Sequence, residues 1–550
     1  MPPTGAAETI LHNGKIITMD SRLPQAEALA IRAGRIIAVG PDAAVQQLSG
    51  EDTQMIDLQG KTVIPGIIDA HNHLLSTGRQ VIRQLSLFDV RSIEELVERV
   101  RERVAITPPG QWIKGRGWDE SLLQEGRFPT RWDLDPVSPE HPVVLNRVWN
   151  MLVANSYALR LAGIDRNTPD PPPGMLYAGR IDRDPQSGEP TGILRDRAKH
   201  LVERVIPPES MEEMEETIKA TCQAYLAVGI TSVVEPGLLP QEMRAYQNLY
   251  RRGELPLRVS LCVAGWGFSS VDDLSDQQLK ARIEEMGVYT GLGDHRLRID
   301  AVKMMPDGGV GDRTAAMYEP YEGEPNNYGQ FVVDPAEFQA AVQWCHERGW
   351  SVETHACGDR MTDIAVEAYA SAFRQRETPL IRHRVHHAYL PTPKALATMA
   401  TYGIVAIMNP PFLYNLGESY IRSIGHARAA RMKPMRTYLE QGVPLAGSSD
   451  SPVTDYNPFV GIYSAVNRHT VAGTPLDQSE RLSVEEALRM YTLGSAYVTF
   501  EEGIKGSLEA GKLADLVVLD RDILTVPVAT LKEIQVEMTM VEGKVVYQKP

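Results

Sequence analysis

Short apolar runs separated by turn residues open the chain. Thr9-Ile10-Leu11, Lys15-Ile16-Ile17, Leu29-Ala30-Ile31, Arg35-Ile36-Ile37-Ala38-Val39 and Gln54-Met55-Ile56-Asp57 have the length and composition of strands rather than helices. Asn13-Gly14 falls between the first two runs and predicts a hairpin. Leu513–Asp520 and Met538–Tyr547 repeat this texture near the other end. One small β-sandwich domain built from both chain ends, 1–64 and 498–550, accounts for both.

Between them the pattern changes to apolar strands alternating with helical periods, as in a parallel α/β barrel. Eight strands are predicted: Ile67–Ala70, Thr231–Glu235, Leu257–Ala264, Leu297–Met304, Ser351–Thr354, Arg382–His387, Ile404–Met408 and Pro444–Gly447. Met211–Ala227, Pro335–Glu347, Thr362–Phe373 and Pro393–Tyr402 are helical stretches among them. The fold class is therefore α/β, a distorted (β/α)8 TIM-type barrel over 65–497 with the small sandwich beside it. The interval 74–228 is too long for one crossover and holds an insertion, with loops marked by Pro108-Pro109, Pro171-Pro172-Pro173-Gly174 and Gln186-Ser187-Gly188. An insertion after the first strand starts at the catalytic end of a barrel, so it is expected to shape the substrate pocket.

Composition narrows the partner. The 550 residues are 43% hydrophobic, enough for a large core, and carry a net charge of -15 without a basic block. That balance argues against nucleic acid or an anionic membrane and favours a small-molecule substrate. Cys222, Cys262, Cys345 and Cys357 have no paired spacing, so a disulfide framework is not expected. The N-terminal residues lack the regions of a signal peptide, and no run of 18 apolar residues occurs, which leads us to expect a cytoplasmic protein.

The richest chemistry lies in Thr62-Val63-Ile64-Pro65-Gly66-Ile67-Ile68-Asp69-Ala70-His71-Asn72-His73. Pro65-Gly66 disfavours a helix, so a short buried strand after Gly66 is expected. Alternation would turn His71 and His73 to the same side, where both can hold one divalent ion. The ends of later strands add Lys303, His355, His386-His387 and Asp450. As an ammonium Lys303 has no lone pair for a metal; carboxylation of its amine would make it an anionic ligand able to bridge two ions. Asp450, in Ser448-Ser449-Asp450-Ser451-Pro452, suits a ligand that also accepts a proton, or else a turn residue.

Five segments together resemble the amidohydrolase superfamily, and more closely its family 3 branch, which includes N-substituted formamide deformylases. They are Val63–His73, Val302–Gly308, Thr354–Asp359, Arg384–Ala388 and Ser449–Val453, with Gly506–Asp515 similar to that branch's return into its β domain. The resemblance implies one metal on His71, His73 and Asp450, a second on His355 and His387, and a carboxylated Lys303 between them. Two departures stand out. The branch's Arg-Ile-Glu-His is here Arg384-Val385-His386-His387, and its histidine ahead of Asn155-Ser156 is missing from Val148-Trp149-Asn150. Strand alternation would turn His387 and Val385 into the barrel and His386 toward the helix layer.

The implied cofactor is a divalent metal, zinc foremost, with one or two ions per chain. Asp450 and Lys303 are the candidate catalytic residues, and Trp118, Asp119, Trp149, Asn150, Arg313 and Tyr321 the candidate substrate contacts. The reaction this supports is hydrolysis of a C–N bond in an amide, N-formyl or cyclic amide small molecule by a metal-activated hydroxide. Deamination, lactone hydrolysis or hydration on the same site, and a metal-free binding protein of the same fold, are the alternatives. A homodimer is left open.

Overall fold

The computed structural model describes residues 5–120, 122–147, 151–171, 179–268, 271 and 274–550. The eight predicted barrel strands all form, as β1 (Ile67–Asp69), β2 (Ile230–Leu238), β3 (Arg258–Ala264), β4 (Leu297–Met304), β5 (Ser351–Ala356), β6 (Arg384–His387), β7 (Val405–Met408) and β8 (Leu445–Gly447). They pair in parallel and in sequence order within one sheet. Ala70 N donates to Gly447 O at 3.0 Å and Asp450 N to His71 O at 2.9 Å, so the ends of β1 and β8 meet. Their burial on both sides explains the continuous apolar runs in β7, Val405-Ala406-Ile407-Met408.

The crossover helices carry their own stop signals. Pro393–Tyr402 starts where the Thr392 hydroxyl accepts from Ala395 N and ends at Gly403, whose φ of 64° is left-handed. Helix Asp359–Gln375 buries Met361, Ala365, Val366, Ala368 and Tyr369, a helical spacing that covers the outside of β5 and β6.

Both chain ends build the sandwich. Its six-stranded sheet runs Lys544–Gln548, Val536–Val541, Leu516–Leu519, Thr62–Pro65, Lys15–Ile17 and Gln25–Ala26, while the four-stranded sheet holds Arg35–Gly40, Ala28–Arg32, Thr9–His12 and Gln54–Asp57. Leu11, Leu29 and Ile36 of one sheet and Ile16, Val63, Leu516 and Met540 of the other share one core. The hairpin expected at Asn13-Gly14 is not formed. Thr9–His12 pairs with Ala28–Arg32 and Gln54–Asp57, whereas Lys15–Ile17 pairs with Gln25–Ala26 and Thr62–Pro65. Asn13, at φ 55°, instead carries the chain from one sheet to the other, its backbone N–H bound to the Asp42 carboxylate at 2.9 Å. A local turn signal cannot tell a hairpin from a sheet-to-sheet corner.

The chain divides into two compact units, one of Met1–Leu74 with Ile218–Pro550 and one of Leu75–Thr217. The second lies within the interval read as an insertion. It has a six-stranded mixed sheet, Arg180–Arg183, Pro190–Arg195, Met151–Ala154, Val143–Asn146, Ile113–Arg116 and Leu85–Ser86, and a core with Leu96, Val100, Ile113, Trp118, Val143 and Leu145. Among the described residues no helix is long and apolar enough to cross a membrane.

Candidate metal centre

The first two histidines lie just beyond β1, which stops at Asp69. Loop hydrogen bonds, not strand alternation, therefore aim them. The buried Asp69 carboxylate accepts from Ser449 Oγ at 2.6 Å, Asn72 Nδ2 at 2.9 Å and His71 N at 3.3 Å, and His73 N donates to Ser451 O at 2.9 Å. These bonds tie the His71-Asn72-His73 turn to the turn bearing Asp450. His71 Nε2 then lies 3.0 Å and His73 Nε2 3.4 Å from Asp450 Oδ1, and His387 Nε2 lies 4.0 Å from Asp450 Oδ2. Burial alone would raise the Asp450 carboxyl, but His71, His73 and His387 outweigh it and hold the group well below the usual carboxylate range.

His387 and His355 form the other side of the cluster, with ring centroids 4.5 Å apart. His387 Nδ1 is 2.7 Å from Asn409 Oδ1; because a carbonyl oxygen only accepts, Nδ1 carries the proton and Nε2 keeps its lone pair. Asn409 is itself fixed by donating to Ser448 Oγ at 2.7 Å and accepting from the buried Lys433 Nζ at 3.2 Å. His355 Nε2 faces Gly308 O at 3.1 Å and Cys357 Sγ at 3.4 Å. Burial, then the nearby Lys303, pushes the His355 imidazole down to about 4, and burial holds His387 well below its ordinary value.

Lys303, on β4, is buried with its Nζ 3.9 Å from Glu353 Oε1. Burial lowers its ammonium below the ordinary lysine range, against the pull of Glu353 and Asp450. The interior of the barrel below the histidines is polar. Glu353 Oε2 accepts from Arg384 Nε at 2.9 Å, and Arg384 also binds Asp300, so one buried cation holds two buried carboxylates.

His386 does not turn toward the helix layer. β5 and β6 pair His355 with His386 and Glu353 with Arg384, and in a parallel sheet such neighbours share a face. His386 accordingly sits inside the barrel, 3.4 Å from Glu353 Oε2 and with its ring centroid 3.9 Å from that of His71. Val385, paired with Thr354, takes the outer face, where Thr354 Oγ1 bonds the Tyr369 hydroxyl at 2.5 Å. Alternation fails only at His387, whose φ of 70° ends the strand and swings the imidazole into the same mouth.

The donors fit a divalent ion. His71, His387 and Asp450 present one ligand atom each within 4.8 Å of one another, as do His355, Cys357 and His387, and His71, Glu353 and His386. His71 Nδ1, Lys303 Nζ, Glu353 Oε1 and both His386 nitrogens are buried without a hydrogen-bond partner in the structure. Such a concentration of buried, unsatisfied donors and acceptors is costly unless a further group is bound among them.

A model of the amidohydrolase family matches residues 54–547. The chain belongs to that family. This amidohydrolase is 31% identical to the N-substituted formamide deformylase of Arthrobacter pascens across 99% of each chain. It is 34% identical to the protein LONG AFTER FAR-RED 3 of Arabidopsis thaliana, over 94% of this chain and 88% of the other. Among solved structures, a metal-dependent hydrolase of Pyrococcus furiosus is similar over 94% of this chain and 100% of its own, at 30% identity and a TM-score of 0.76. The amidohydrolase is thus a metal-dependent hydrolase acting on carbon–nitrogen bonds other than peptide bonds.

The expected substrate contacts fall in both compact units. Trp118 is fully buried in the core of the Leu75–Thr217 unit, its indole N–H given to Leu145 O at 2.9 Å, so packing takes the role expected of it in a pocket. Asp119, in the same unit, lies 3.6 Å from Arg147 Nη2. Arg313 ties its loop together by binding Glu324 and donating to Glu322 O and Arg422 O, and the buried Tyr321 hydroxyl donates to Ala315 O at 2.9 Å. Trp149 and Asn150 fall outside the described residues.

Several residues of the amidohydrolase centre gave no sequence signal. Asn409 lies beside His387, and Glu353 beside His71 and His386, histidines distant from them in sequence. Asp307 joins two loops, accepting from Ala316 N at 3.1 Å, Cys357 N at 3.2 Å and Gly358 N at 2.9 Å. The His355-Ala356-Cys357 spacing, which mirrors His71-Asn72-His73, was the one legible hint.

Proposed function

We propose that this chain hydrolyses the C–N bond of a small amide, N-formyl compound or cyclic amide. The observation that carries the reading is the approach of three imidazole Nε2 atoms, from His71, His73 and His387, to one buried carboxylate, Asp450, at 3.0, 3.4 and 4.0 Å. His71, His73 and Asp450 would hold one divalent ion, and His355 and His387 a second, zinc being the metal that imidazole and carboxylate ligands suit first. When bound, such an ion polarises an acyl oxygen and makes water acidic enough to attack near neutral pH.

The chain's own groups do the rest. Asp450 stays ionised beside its histidines, so its free oxygen can take the proton of the attacking water and pass it to the departing nitrogen. Asn409 fixes the His387 tautomer, and Asp69 fixes the His71-Asn72-His73 turn. Lys303 would be carboxylated: its nitrogen forms a bond to the carbon of carbon dioxide and releases a proton, giving an anionic oxygen pair between the two ligand groups.

Elemental analysis of the purified chain, with a screen of N-formyl, N-acyl and cyclic amide substrates, tests this. Bound divalent metal and release of amine from one of these classes is the expected result. A chain that binds no divalent metal, or that turns over only lactones or exocyclic amines of heterocycles, overturns it.

A further inference from the structure

Cys357 belongs to neither ligand group above, yet it lies against one of them. Its Sγ is 3.4 Å from His355 Nε2, and it offers one donor, with His355 and His387, to a trio whose atoms all lie within 4.8 Å. The side chain is buried and not in a disulfide. Its backbone is pinned, since Cys357 N and Gly358 N both donate to the Asp307 carboxylate. At Gly358 a Cβ would come within 1.9 Å of Ala316 O, so only glycine allows the loop to close this tightly behind the sulfur.

Resting on the reading above that the histidines hold metal, we propose that Cys357 is a ligand of the second ion, which is bound by His355, His387 and the Cys357 thiolate. Two borderline nitrogens and one soft sulfur form a set that selects zinc over magnesium or calcium. The tautomer of His387 is already set for this by Asn409, which leaves Nε2 as the free donor. As the metal–sulfur bond forms, the S–H bond breaks heterolytically and its proton leaves to solvent, with no change of oxidation state. His355 Nε2, which donates its proton to Gly308 O at 3.1 Å, must at the same time give up that contact: the proton on Nε2 is lost to solvent, another is taken up on Nδ1, and the freed Nε2 lone pair turns to the metal.

The thiolate completes three protein ligands at the second site, His355, His387 and Cys357, beside the carboxylated Lys303 of the reading above.

The test is cobalt substitution. Protein freed of metal with a chelator and refilled with cobalt(II) should show the intense near-ultraviolet sulfur-to-cobalt charge-transfer band, which histidine and carboxylate ligands alone do not produce. Cys357→Ser and Cys357→Ala should lose the band and about one equivalent of cobalt, while Cys222→Ala, distant in sequence and buried elsewhere, should keep both. Cobalt bound by the unaltered chain without the band, or a band that survives in Cys357→Ala, overturns the assignment and leaves Cys357 as a hydrogen-bond partner of His355. Failure of the unaltered chain to bind any cobalt would instead count against the metal-dependent function itself.

Discussion

His386 packs edge-on against His71, ring centroids 3.9 Å apart with an interplanar angle of 81°, and Glu353 lies within 4 Å of both. A residue expected on the helix side of its strand is thus a neighbour of the first metal-site histidine. Replacing His386 with Ala should therefore disturb metal binding through His71, and not stability alone. His387→Ala should cost about one metal per chain. Competition with a chromophoric chelator separates the two: His386→Ala keeps full stoichiometry with weaker affinity, and equal loss of one ion in both variants would show that His386 is itself a ligand.

Glu353 Oε1 lies 3.6 Å from the unpartnered His71 Nδ1, just beyond hydrogen-bond reach, and a small closing shift on metal binding would let it accept that N–H and leave Nε2 for the ion. Carboxylates placed this way behind a metal-binding histidine typically contribute about ten- to a hundredfold in metal affinity. Glu353→Gln should weaken binding by about that factor while the Arg384 contact preserves the fold. Unchanged affinity in the same chelator assay would remove Glu353 from the centre.

Asp450→Asn should keep the fold and much of the metal while lowering turnover by about two to four orders of magnitude, because the amide cannot accept the water proton. Parallel measurement of kcat and metal content checks this, and near-normal kcat would exclude Asp450 as the base.

Lys303→Ala should lose activity together with metal, and a small carboxylate such as acetate or propionate should restore part of both if a carbamate normally supplies the ligand. Absence of rescue, with the metal retained, would fit the sulfur-containing second site instead.

The metal-stripped protein should be acid-labile. The folded chain holds His355 down at about 4 and His387 and His386 well below their ordinary value of 6.5, burial being the largest cause in each. Between pH 6.5 and about 4 the unfolded chain therefore binds more protons than the folded one, and stability falls as the pH falls. Asp450, held well below 3.8, adds the same sign of dependence below pH 3.8. The melting midpoint of stripped protein should drop steadily from pH 7 to 4.5, and more shallowly in His355→Gln; a flat profile would show that these imidazoles bind protons alike in the folded and unfolded chain.

Strand periods and turn residues along the chain determined the eight barrel strands, the helices between them and the β domain shared by both ends, because hydrophobic burial imposes a local repeat on each element. The ligand candidates were legible for a related reason: barrel chemistry gathers at the ends of strands, and those ends can be located. Tertiary structure decided what depends on two distant segments at once. Asn13-Gly14 became a corner between sheets because neither flanking strand found its best partner in the other. His386 entered the barrel because register with His355, set by the sheet, fixed its face, and His387 joined it only through a left-handed residue that no alternation rule contains. Glu353, Asn409 and Cys357 acquired their places beside the histidines by packing across neighbouring strands and loops, a relationship measured in ångströms and absent from any spacing along the sequence.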